Sequence, residues 1–356
     1  MNESKSPKPS LGTFKPGARR AVSLARGQLV EMEPPAPGRP LPLVVRPAVQ
    51  GLDLAEWAAG NRELLEEKLL VHGGILFRGF PVATVEAFEG LIAAVAGAPL
   101  EYRERSSPRS TVQGNVYTST DYPPEYPIFL HNENSYQRVV PQKIFFFCLV
   151  APEDRGETPI ADCRGVYRRI DPEVRRRFEE RDWMYVRNFG SGLGLDWPTV
   201  FQTEDRDEVE RYCRENGIEA EWREEGRLRT RAVRAAVARH PATGEPVWFN
   251  HATFYHVSTL EPAIGRALTE ELAEEDLPAN TYYGDGSPIE PEVLDRLREA
   301  YRAETVSFPW RQGDVLMLDN ILVAHGRQAF SGPRKIVVGM AQPRSRDEVV
   351  EEAIRA

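Results

Sequence analysis

The chain has 356 residues, of which 41% are hydrophobic and 9% aromatic, enough apolar material for one large or two modest folded domains. Acidic residues outnumber basic ones by 54 to 45, and the formal net charge of −9 argues against a basic surface for nucleic acid. The three cysteines are widely spaced and form no Cys-x-x-Cys pair, so the sequence predicts neither a disulfide framework nor a zinc site.

The N-terminal segment lacks the apolar core of a secretory signal, and no apolar run reaches the length of a membrane span. We therefore expect a cytoplasmic protein with reduced thiols and no membrane partner. Residues 1–40 are rich in Pro, Gly, Ser and Arg, which cannot fill a core, and they are predicted to form a flexible Pro-rich extension. One folded domain is expected over residues 41–345, followed by a C-terminal tail over residues 346–356.

The first elements after the extension are predicted to be a helix, a strand and a second helix. Leucines at helical spacing place the first helix over Ala55–Leu70. The glycine-bounded apolar run Gly73–Phe80 predicts a strand, and Thr84 is a suitable N-cap for the next helix. A lead-in of this kind is expected to pack against one sheet of a β-rich core.

Strands are predicted to dominate from Glu101 to Asp162. The uninterrupted apolar run Ile144–Leu149 is typical of a strand that is covered on both faces. Further helices and the closing strands follow along the chain: helices over Asp171–Arg181, Thr203–Asn216 and Glu290–Glu304, and strands around Val315 and Val337.

The segment just before this apolar run contains the first candidate metal ligands. His131 and Glu133 are two residues apart, and on an extended segment residues i and i+2 point to the same face. A His-x-Glu pair alone occurs by chance in many proteins. A third candidate ligand, His325, follows the apolar strand Asp314–Asn320. Two histidines and one carboxylate are the facial set of non-haem Fe(II) oxygenases, with three coordination positions left for chemistry.

Two further residues are candidates for holding a carboxylate near these ligands. Arg334 comes nine positions after His325, and its guanidinium group can hold a carboxylate through two parallel hydrogen bonds. Thr158 offers a hydroxyl group to the same carboxylate. Arg327 competes with Arg334 for this role.

At these residues the chain resembles the taurine dioxygenase (TauD/TfdA) branch of Fe(II)/2-oxoglutarate-dependent oxygenases. Within that branch it is similar to the syringomycin-pathway aspartyl β-hydroxylases and the clavaminate-synthase-like proteins. The likeness runs from about Arg19 to Met340. The matching segments are Leu130–Glu133, Gly156–Pro159, Val247–Asn250, Pro309–Val315, Asp319–Asn320, His325–Arg327 and Gly332–Arg334. The sequence departs from many relatives at Arg155, where they have a second glycine.

The resemblance implies a fold and a set of roles. The fold is α+β, with a double-stranded β-helix core (a cupin-like jelly roll) and flanking and inserted helices. His131, Glu133 and His325 would bind Fe(II), and Thr158 and Arg334 would hold the distal carboxylate of 2-oxoglutarate. The reaction would consume O2 and release succinate. Because relatives that halogenate have a small residue in place of the carboxylate, Glu133 favours hydroxylation, or the related desaturation or epoxidation.

The implied substrate is an amino-acid-like small molecule, either free or attached to a carrier protein, in natural-product biosynthesis. Asn134, Tyr136, Asn250 and His251 are candidates for substrate contacts, and Arg109 is a candidate for neutralising a substrate carboxylate. A surface role explains Arg109 equally well. A rival metal site at His251 and His256 is conceivable, but no carboxylate shares their face at ligand spacing, so structural or substrate-loop roles are favoured for both. Asp319 and Asn320 are expected to orient the ligands. His72 and His240 are expected to be ordinary surface or turn residues.

Two other classes of function compete with an oxygenase. A non-catalytic, cupin-like metal-binding module is the main alternative, and the intact set of five residues argues against it. A metal-dependent hydrolase lacks a paired-metal cluster and leaves Arg334 unexplained. The arginine-rich segments 175–177 and 223–239 are expected to be solvated helix faces paired with Glu, although an acidic carrier domain would also suit them. The sequence does not determine the oligomeric state.

Overall fold

The computed structural model describes residues 29–37, 41–98, 100, 111–114, 116–118 and 122–349. The strands are β1 (Val30–Glu33), β2 (Leu43–Pro47), β3 (Gly74–Phe77), β4 (Thr111–Gln113), β5 (Val116–Thr118), β6 (Ile128–His131), β7 (Val139–Val150), β8 (Asp154–Arg155), β9 (Ile160–Asp162), β10 (Trp183–Phe189), β11 (Glu219–Trp222), β12 (Leu228–Arg234), β13 (Val237–Arg239), β14 (Pro246–Trp248), β15 (Ala279–Tyr283), β16 (Thr305–Val306), β17 (Val315–Asp319), β18 (Val323–Arg327), β19 (Phe330–Ser331) and β20 (Lys335–Ser345). The helices are α1 (Leu54–Ala59), α2 (Arg62–His72), α3 (Val85–Ala96), α4 (Cys163–Arg169), α5 (Pro172–Arg181), α6 (Trp197–Phe201), α7 (Arg206–Glu215), α8 (Pro262–Glu271) and α9 (Pro291–Glu304). None of these helices is long and apolar enough to cross a lipid bilayer.

The main sheet has eight strands in the order β1-β2-β3-β17-β7-β20-β5-β4. The β2–β3 pair is parallel, and the other neighbouring pairs are antiparallel. The long strands β7 and β20 lie next to each other near the centre. The sheet therefore joins segments from both ends of the described chain, and helices pack on it, as expected for an α+β protein.

Strand β7 confirms the prediction of a strand that is covered on both faces. Successive side chains of a strand point to opposite faces. Phe145 and Phe147 pack into a core with α1, α2 and α3, whereas Ile144, Phe146 and Cys148 pack into a second core on the other face. The predicted helix cap at Thr84 is also confirmed, because its side chain accepts a hydrogen bond from the N–H of Ala87.

A smaller sheet, in the order β16-β9-β18-β6, contributes Leu130, Ile160 and Ala324 to the second core. Its strands β18 and β6 are antiparallel neighbours, and His325 pairs in register with His131. Backbone pairing thus brings together two histidines that are 194 positions apart (325 minus 131).

A further unit is inserted in the chain between β9 and β18. Its sheet has the order β11-β12-β10-β15, and it packs with α6 and α7 around a small core that contains Phe189, Val209 and Leu228. The helices predicted over Asp171–Arg181 and Glu290–Glu304 are confirmed as α5 and α9.

The helix predicted over Ala55–Leu70 is two helices. The chain breaks at Gly60, which ends α1 as its C-cap, and at Asn61, which precedes α2. The leucine periodicity was correct for α2 alone. It could not show the break, because a glycine costs a helix only about 1 kcal/mol and is often tolerated inside one.

The predicted domain boundaries are corrected at both ends. Val30–Glu33 was assigned to the flexible extension but forms the edge strand β1, in which Val30 is buried. Residues 346–349 were assigned to a tail, yet Arg346 and Val349 are buried. Arg346 donates hydrogen bonds to the carbonyl oxygens of Ser135, Ala235 and Phe249, so it ties the chain after β20 to two distant loops.

The arginine-rich segments are paired with acidic residues as predicted, but one of them is not helical. On α5, Arg176 forms ion pairs with Glu173 and Glu180. The segment 223–239 consists mainly of strands, and Arg231 on β12 pairs with Glu219 across to β11. The alternation of charged and small residues there reflects a strand with one solvated face.

Candidate active site

The three predicted metal ligands lie together in the structure. Ligating atoms of His131, Glu133 and His325 all lie within 4.8 Å of one another. Nε2 of His325 is 3.6 Å from Oε2 of Glu133. The three residues are 8%, 2% and 4% exposed, respectively. A carboxylate and two imidazoles this close and this dry are stabilised when they share one bound cation.

The geometry that brings Glu133 to the cluster differs from the predicted one. His131 is the last residue of β6, and Glu133 lies in the turn that follows, not on an extended segment. The turn is closed by a hydrogen bond from the N–H of Ser135 to the carbonyl of Asn132, and Asn134 has a φ of +56°. The two ligands therefore come together through a tight turn, and not through the two-residue repeat of a strand.

Asn320 fixes this turn, as predicted. Its Oδ1 accepts a hydrogen bond of 2.7 Å from the N–H of Glu133. Its Nδ2 donates bonds of 2.9 Å to the carbonyl oxygens of Glu133 and Pro141. The Asn320 side chain is fully buried. The backbone of one ligand is thus held on both sides by a side chain that follows β17, five positions before the last ligand.

Replacing Asn320 with alanine is expected to lower the affinity for Fe(II) by about 10- to 100-fold, which is the usual cost of removing a group that orients a metal ligand. The three ligands remain present in this variant, but Glu133 loses the two backbone hydrogen bonds that Asn320 makes to it, and Pro141 loses a third. Iron affinity should be measured by anaerobic competition with a chelator. Asn216→Ala, which removes an asparagine at the end of α7, is the matched control and should retain wild-type affinity.

The tautomers of the two histidines suit metal binding. Nδ1 of His131 lies 2.8 Å from the carbonyl oxygen of Phe129, so Nδ1 carries the proton and Nε2 carries the lone pair. Nε2 of His325 faces Glu133, while its Nδ1 is buried and makes no hydrogen bond with the described residues. Phe254 stacks on His131, and Phe146 contacts His325, which keeps the cluster dry. The donor set of two nitrogens and one carboxylate fits Fe(II).

His251 lies next to the cluster but is not part of it. Its ring centroid is 5.5 Å from that of His131, and its Nδ1 contacts Oγ of Ser135. Burial, followed by the proximity of His131, lowers the pKa of His251 well below its usual value of 6.5, so the ring is neutral. His256 makes its own contact with Ser258 in a 3-10 turn. Among the described residues, neither histidine joins the metal-ligand cluster.

The candidates for carboxylate binding are arranged around one short segment. Nε of Arg334 donates a hydrogen bond of 2.8 Å to the carbonyl oxygen of Gly156, two residues before Thr158. Nε1 of Trp310 donates a bond of 3.1 Å to Oγ1 of Thr158, which leaves the hydroxyl hydrogen of Thr158 to donate elsewhere. Burial, and then the neighbouring Arg327, lowers the pKa of Arg334 to about 10, so Arg334 remains positively charged at neutral pH.

Arg327 has a different environment. Its guanidinium group donates hydrogen bonds to the carbonyl oxygens of Tyr122, Pro123 and Tyr126 at 2.6 to 2.9 Å. These contacts fold the loop before β6. The structure thus gives Arg327 a structural task, which agrees with the preference for Arg334 as the carboxylate-binding arginine.

The predicted substrate contacts have mixed environments. Asn250 uses both ends of its amide for backbone groups, those of Ala236 and Ala252, and so shapes its own segment. Oδ1 of Asn134 is buried and makes no hydrogen bond with the described residues. Tyr136 packs edge-on against His251. Their contacts with substrate stay predictions, and Arg109 lies outside the described residues.

The sequence did not indicate one residue that supports the site, His240. His240 is fully buried, not a surface residue, and its Nε2 is 3.0 Å from Oδ2 of Asp319. Backbone N–H groups of Ala242 and Thr243 approach Nδ1 of His240, so Nε2 carries the proton and donates to Asp319. The turn sequence around His240 suggested exposure, and no local pattern reveals a partner 79 residues away.

A cavity of about 750 Å³ opens beside His131. Its walls come from four segments: residues 122–129, Gly194 and Leu195, residues 254–268, and Pro278 and Ala279. Cavities of about 300–1,000 Å³ hold ligands of the size of a drug. The metal cluster thus has access to a space for an organic substrate.

Known proteins resemble the chain over most of its length. The family model described as taurine catabolism dioxygenase TauD, TfdA family, matches residues 37–340. Dapdiamide synthesis protein DdaC of Enterobacter agglomerans is 42% identical over 281 residues, which cover 79% of this chain and 84% of that protein. A clavaminate synthase-like protein of Arabidopsis thaliana is 30% identical over 321 residues, which cover 87% of this chain and 92% of that protein.

Solved structures share the fold. PvcB from Pseudomonas aeruginosa superimposes with a TM-score of 0.52 at 18% identity, covering 91% of this chain and 95% of PvcB. AAD-2, crystallised with Mn(II) and N-oxalylglycine, has a TM-score of 0.53 at 14% identity, covering 89% of this chain and 98% of AAD-2. With the family match and the clustered His131, Glu133 and His325, the chain belongs to the TauD/TfdA family and is a non-haem Fe(II)/2-oxoglutarate-dependent dioxygenase.

Proposed function

We propose that the protein hydroxylates an amino acid, or an aminoacyl group tethered to a carrier protein, in natural-product biosynthesis. The reaction is coupled to the decarboxylation of 2-oxoglutarate to succinate. The observation that carries the proposal is the buried cluster of His131, Glu133 and His325 beside a cavity of about 750 Å³. A biosynthetic role is supported by the similarity to DdaC, a dapdiamide synthesis protein, and to PvcB, an oxygenase from an isonitrile synthetic pathway.

Within this proposal each residue has a task. His131, Glu133 and His325 would hold the Fe(II) to which 2-oxoglutarate and O2 would bind. Thr158 donates its hydroxyl hydrogen to the distal carboxylate of 2-oxoglutarate, and Arg334 pairs with the same carboxylate. Iron and 2-oxoglutarate, when bound, supply the oxidising power for an unactivated C–H bond. The protein positions the substrate carbon and excludes water.

The assignment of Arg334 leads to a prediction. Arg334→Ala is expected to raise the apparent KM for 2-oxoglutarate by more than about tenfold, because a buried, charge-assisted pair contributes more than about 1.5 kcal/mol. Arg327→Ala should change this KM far less, since Arg327 binds backbone carbonyl groups. Succinate formation at varied 2-oxoglutarate measures both values. A larger effect from Arg327 would contradict the assignment.

The proposal also covers the type of fold and the cellular location. We assign the two sheets that face each other across the second core to a double-stranded β-helix of the jelly-roll type, with the inserted unit as an elaboration. We also place the protein in the cytoplasm, which the three buried free cysteines support.

The experiment that tests the function measures succinate from anaerobically loaded Fe(II) protein, 2-oxoglutarate and O2. Free amino acids and aminoacyl-loaded carrier proteins are compared in parallel. We expect one member of the panel to stimulate succinate release and to gain one oxygen atom, as read by mass spectrometry. A product that has lost two hydrogens would indicate desaturation instead of hydroxylation. An oxidised alkene would indicate epoxidation. No succinate from iron-loaded protein would contradict the proposal and favour a non-catalytic metal-binding module.

A further inference from the structure

The cavity beside His131 has walls of consistent chemistry. Tyr122, Tyr126, Phe129, Phe254 and Tyr255 supply aromatic surface, and aliphatic residues and prolines supply most of the rest. Its apolar character continues to the protein surface, where Leu193 is 43% exposed beside Gly194, and Leu260 is 37% exposed. Apolar surface that leads from solvent into a cavity is a common mark of a ligand entrance.

The inner end of this cavity reaches the metal cluster. His131 is itself part of the wall, and the Phe254 ring stacks on it with a centroid distance of 4.4 Å. A molecule bound along the aromatic wall therefore places one end next to the iron ligands. The chemistry of the wall consequently selects the part of the substrate that approaches the iron.

Charge on the wall is sparse and negative. Among the lining residues that the structure describes, Glu261 is the one Asp, Glu, Lys or Arg side chain. Its Oε2 caps α8 through the N–H groups of Ala263 and Ile264. Burial, followed by the neighbouring Tyr126, raises the pKa of Tyr122; the charge of Arg327 opposes this rise, and the charges of Glu125 and Glu261 add to it.

Two arginines contact lining residues from behind the wall. Arg327 directs its guanidinium group to the backbone carbonyls of Tyr122 and Tyr126. Arg298 donates to the hydroxyl of Thr259 and forms an ion pair with Asp295. The Nη donors of both arginines bond to protein groups, and the buried Nε of Arg327 has no hydrogen-bond partner among the described residues. Within the described part of the wall, a substrate carboxylate would thus meet aromatic rings and a like charge instead of a cation, which is costly in a dry site.

Building on the proposed function, we propose that the cavity binds a substrate with a bulky apolar body and a masked carboxyl group. An amide, ester or thioester satisfies this requirement, and a free amino acid does not. Any charge on the bound part of the substrate is positive and faces Glu261. Of a free amino acid and an aminoacyl group tethered to a carrier protein, the requirement for a masked carboxyl group selects the tethered aminoacyl group.

Four probes with the same body and different charge test the proposal: N-acetyl-L-phenylalanine amide (neutral), L-phenylalanine amide (cationic), N-acetyl-L-phenylalanine (anionic) and L-phenylalanine (zwitterionic). Binding is measured by isothermal titration calorimetry with Fe(II) and 2-oxoglutarate present, under anaerobic conditions. We expect the neutral and cationic probes to bind at least about tenfold more tightly than the two probes with a free carboxylate, which corresponds to 1.4 kcal/mol. Tighter binding of either carboxylate probe, equal binding of all four, or binding of none would overturn the proposal.

Two variants locate the binding. Leu268→Asp places a carboxylate on the wall from α8, a helix without buried residues, and should abolish binding of the neutral probe while circular dichroism stays native. Glu261→Gln keeps an oxygen that can cap α8 and should weaken the cationic probe about fivefold, with little effect on the neutral one. Unchanged binding in Leu268→Asp would show that the probes bind elsewhere.

Succinate measurements separate this inference from the proposed function. Release of succinate that requires Fe(II) and 2-oxoglutarate, combined with tighter binding of the carboxylate probes, would leave the oxygenase standing and refute the masked-carboxyl substrate. Absence of succinate, together with the expected order of binding, would refute the proposed oxygenase activity and leave the preference for a masked carboxyl group standing.

Discussion

Replacing His325 with alanine is expected to abolish iron-dependent succinate formation and to lower the affinity for Fe(II) by more than about 100-fold. Removal of a residue that merely orients a ligand costs about 10- to 100-fold, so removal of a ligand costs more. Nε2 of His325 lies 3.6 Å from the Glu133 carboxylate, at the centre of the cluster. Iron content after anaerobic loading and desalting measures the binding, and succinate measures the activity.

His256→Ala is the matched control for this experiment. It removes a histidine that lies on the segment leading to the cavity but outside the metal cluster. We expect His256→Ala to retain wild-type iron content. Equal losses of iron in the two variants, or normal iron content in His325→Ala, would show that His325 is not a ligand.

The second large effect concerns stability and is expected at the Arg78–Asp314 pair. Arg78 reaches both carboxylate oxygens of Asp314, at 2.6 to 3.1 Å, and also donates to the carbonyl of Pro309. The two side chains are 9% and 1% exposed. Arg78→Ala leaves the Asp314 carboxylate buried without its counterion, so we expect the free energy of unfolding to fall by about 3–5 kcal/mol. Urea denaturation measures this change.

A double variant and a surface variant complete the test. Arg78→Met combined with Asp314→Leu removes both charges and should recover much of the lost stability, because well-packed apolar residues often replace a buried ion pair at little cost. Arg211→Ala, which breaks an exposed pair with Glu208, should leave the urea midpoint unchanged. A double variant as unstable as Arg78→Ala would mean that lost packing, not the unpaired charge, causes the effect.

The sequence revealed much of the site because the ligands come with strong local signals. The apolar run of β7 predicted a central strand, and the order of His131, Glu133 and His325 predicted a facial metal site. His131 and Glu133 do lie together, but not through the predicted strand geometry, since Glu133 projects from a turn held by Asn320. A two-residue spacing is compatible with a strand and with a turn, and tertiary hydrogen bonds decide between them.

Other parts of the site could not be predicted, because they depend on contacts between distant segments. Arg346 occurs among polar residues and suggests a solvated tail, yet its partners include the carbonyls of Ser135 and Ala235. His240 follows a strand and precedes a Pro-Ala-Thr-Gly turn, yet it is buried against Asp319. The cavity walls combine loop residues with residues of β6, α8 and β15, which are far apart in the chain, so no local pattern indicated the apolar character of the substrate space.

The pairing of His325 with His131 across β18 and β6 has a consequence for synthesis. Glu133 leaves the ribosome 192 residues (325 minus 133) before His325. At about 5–20 residues per second, the nascent chain carries two ligands for roughly 10–40 seconds before the third is made. For most of this time strand β17 and Asn320, whose side chain holds the turn at Glu133, have not been synthesised either. We therefore expect tight iron capture to be a late step of biogenesis, and products of premature termination before His325 to bind iron only weakly.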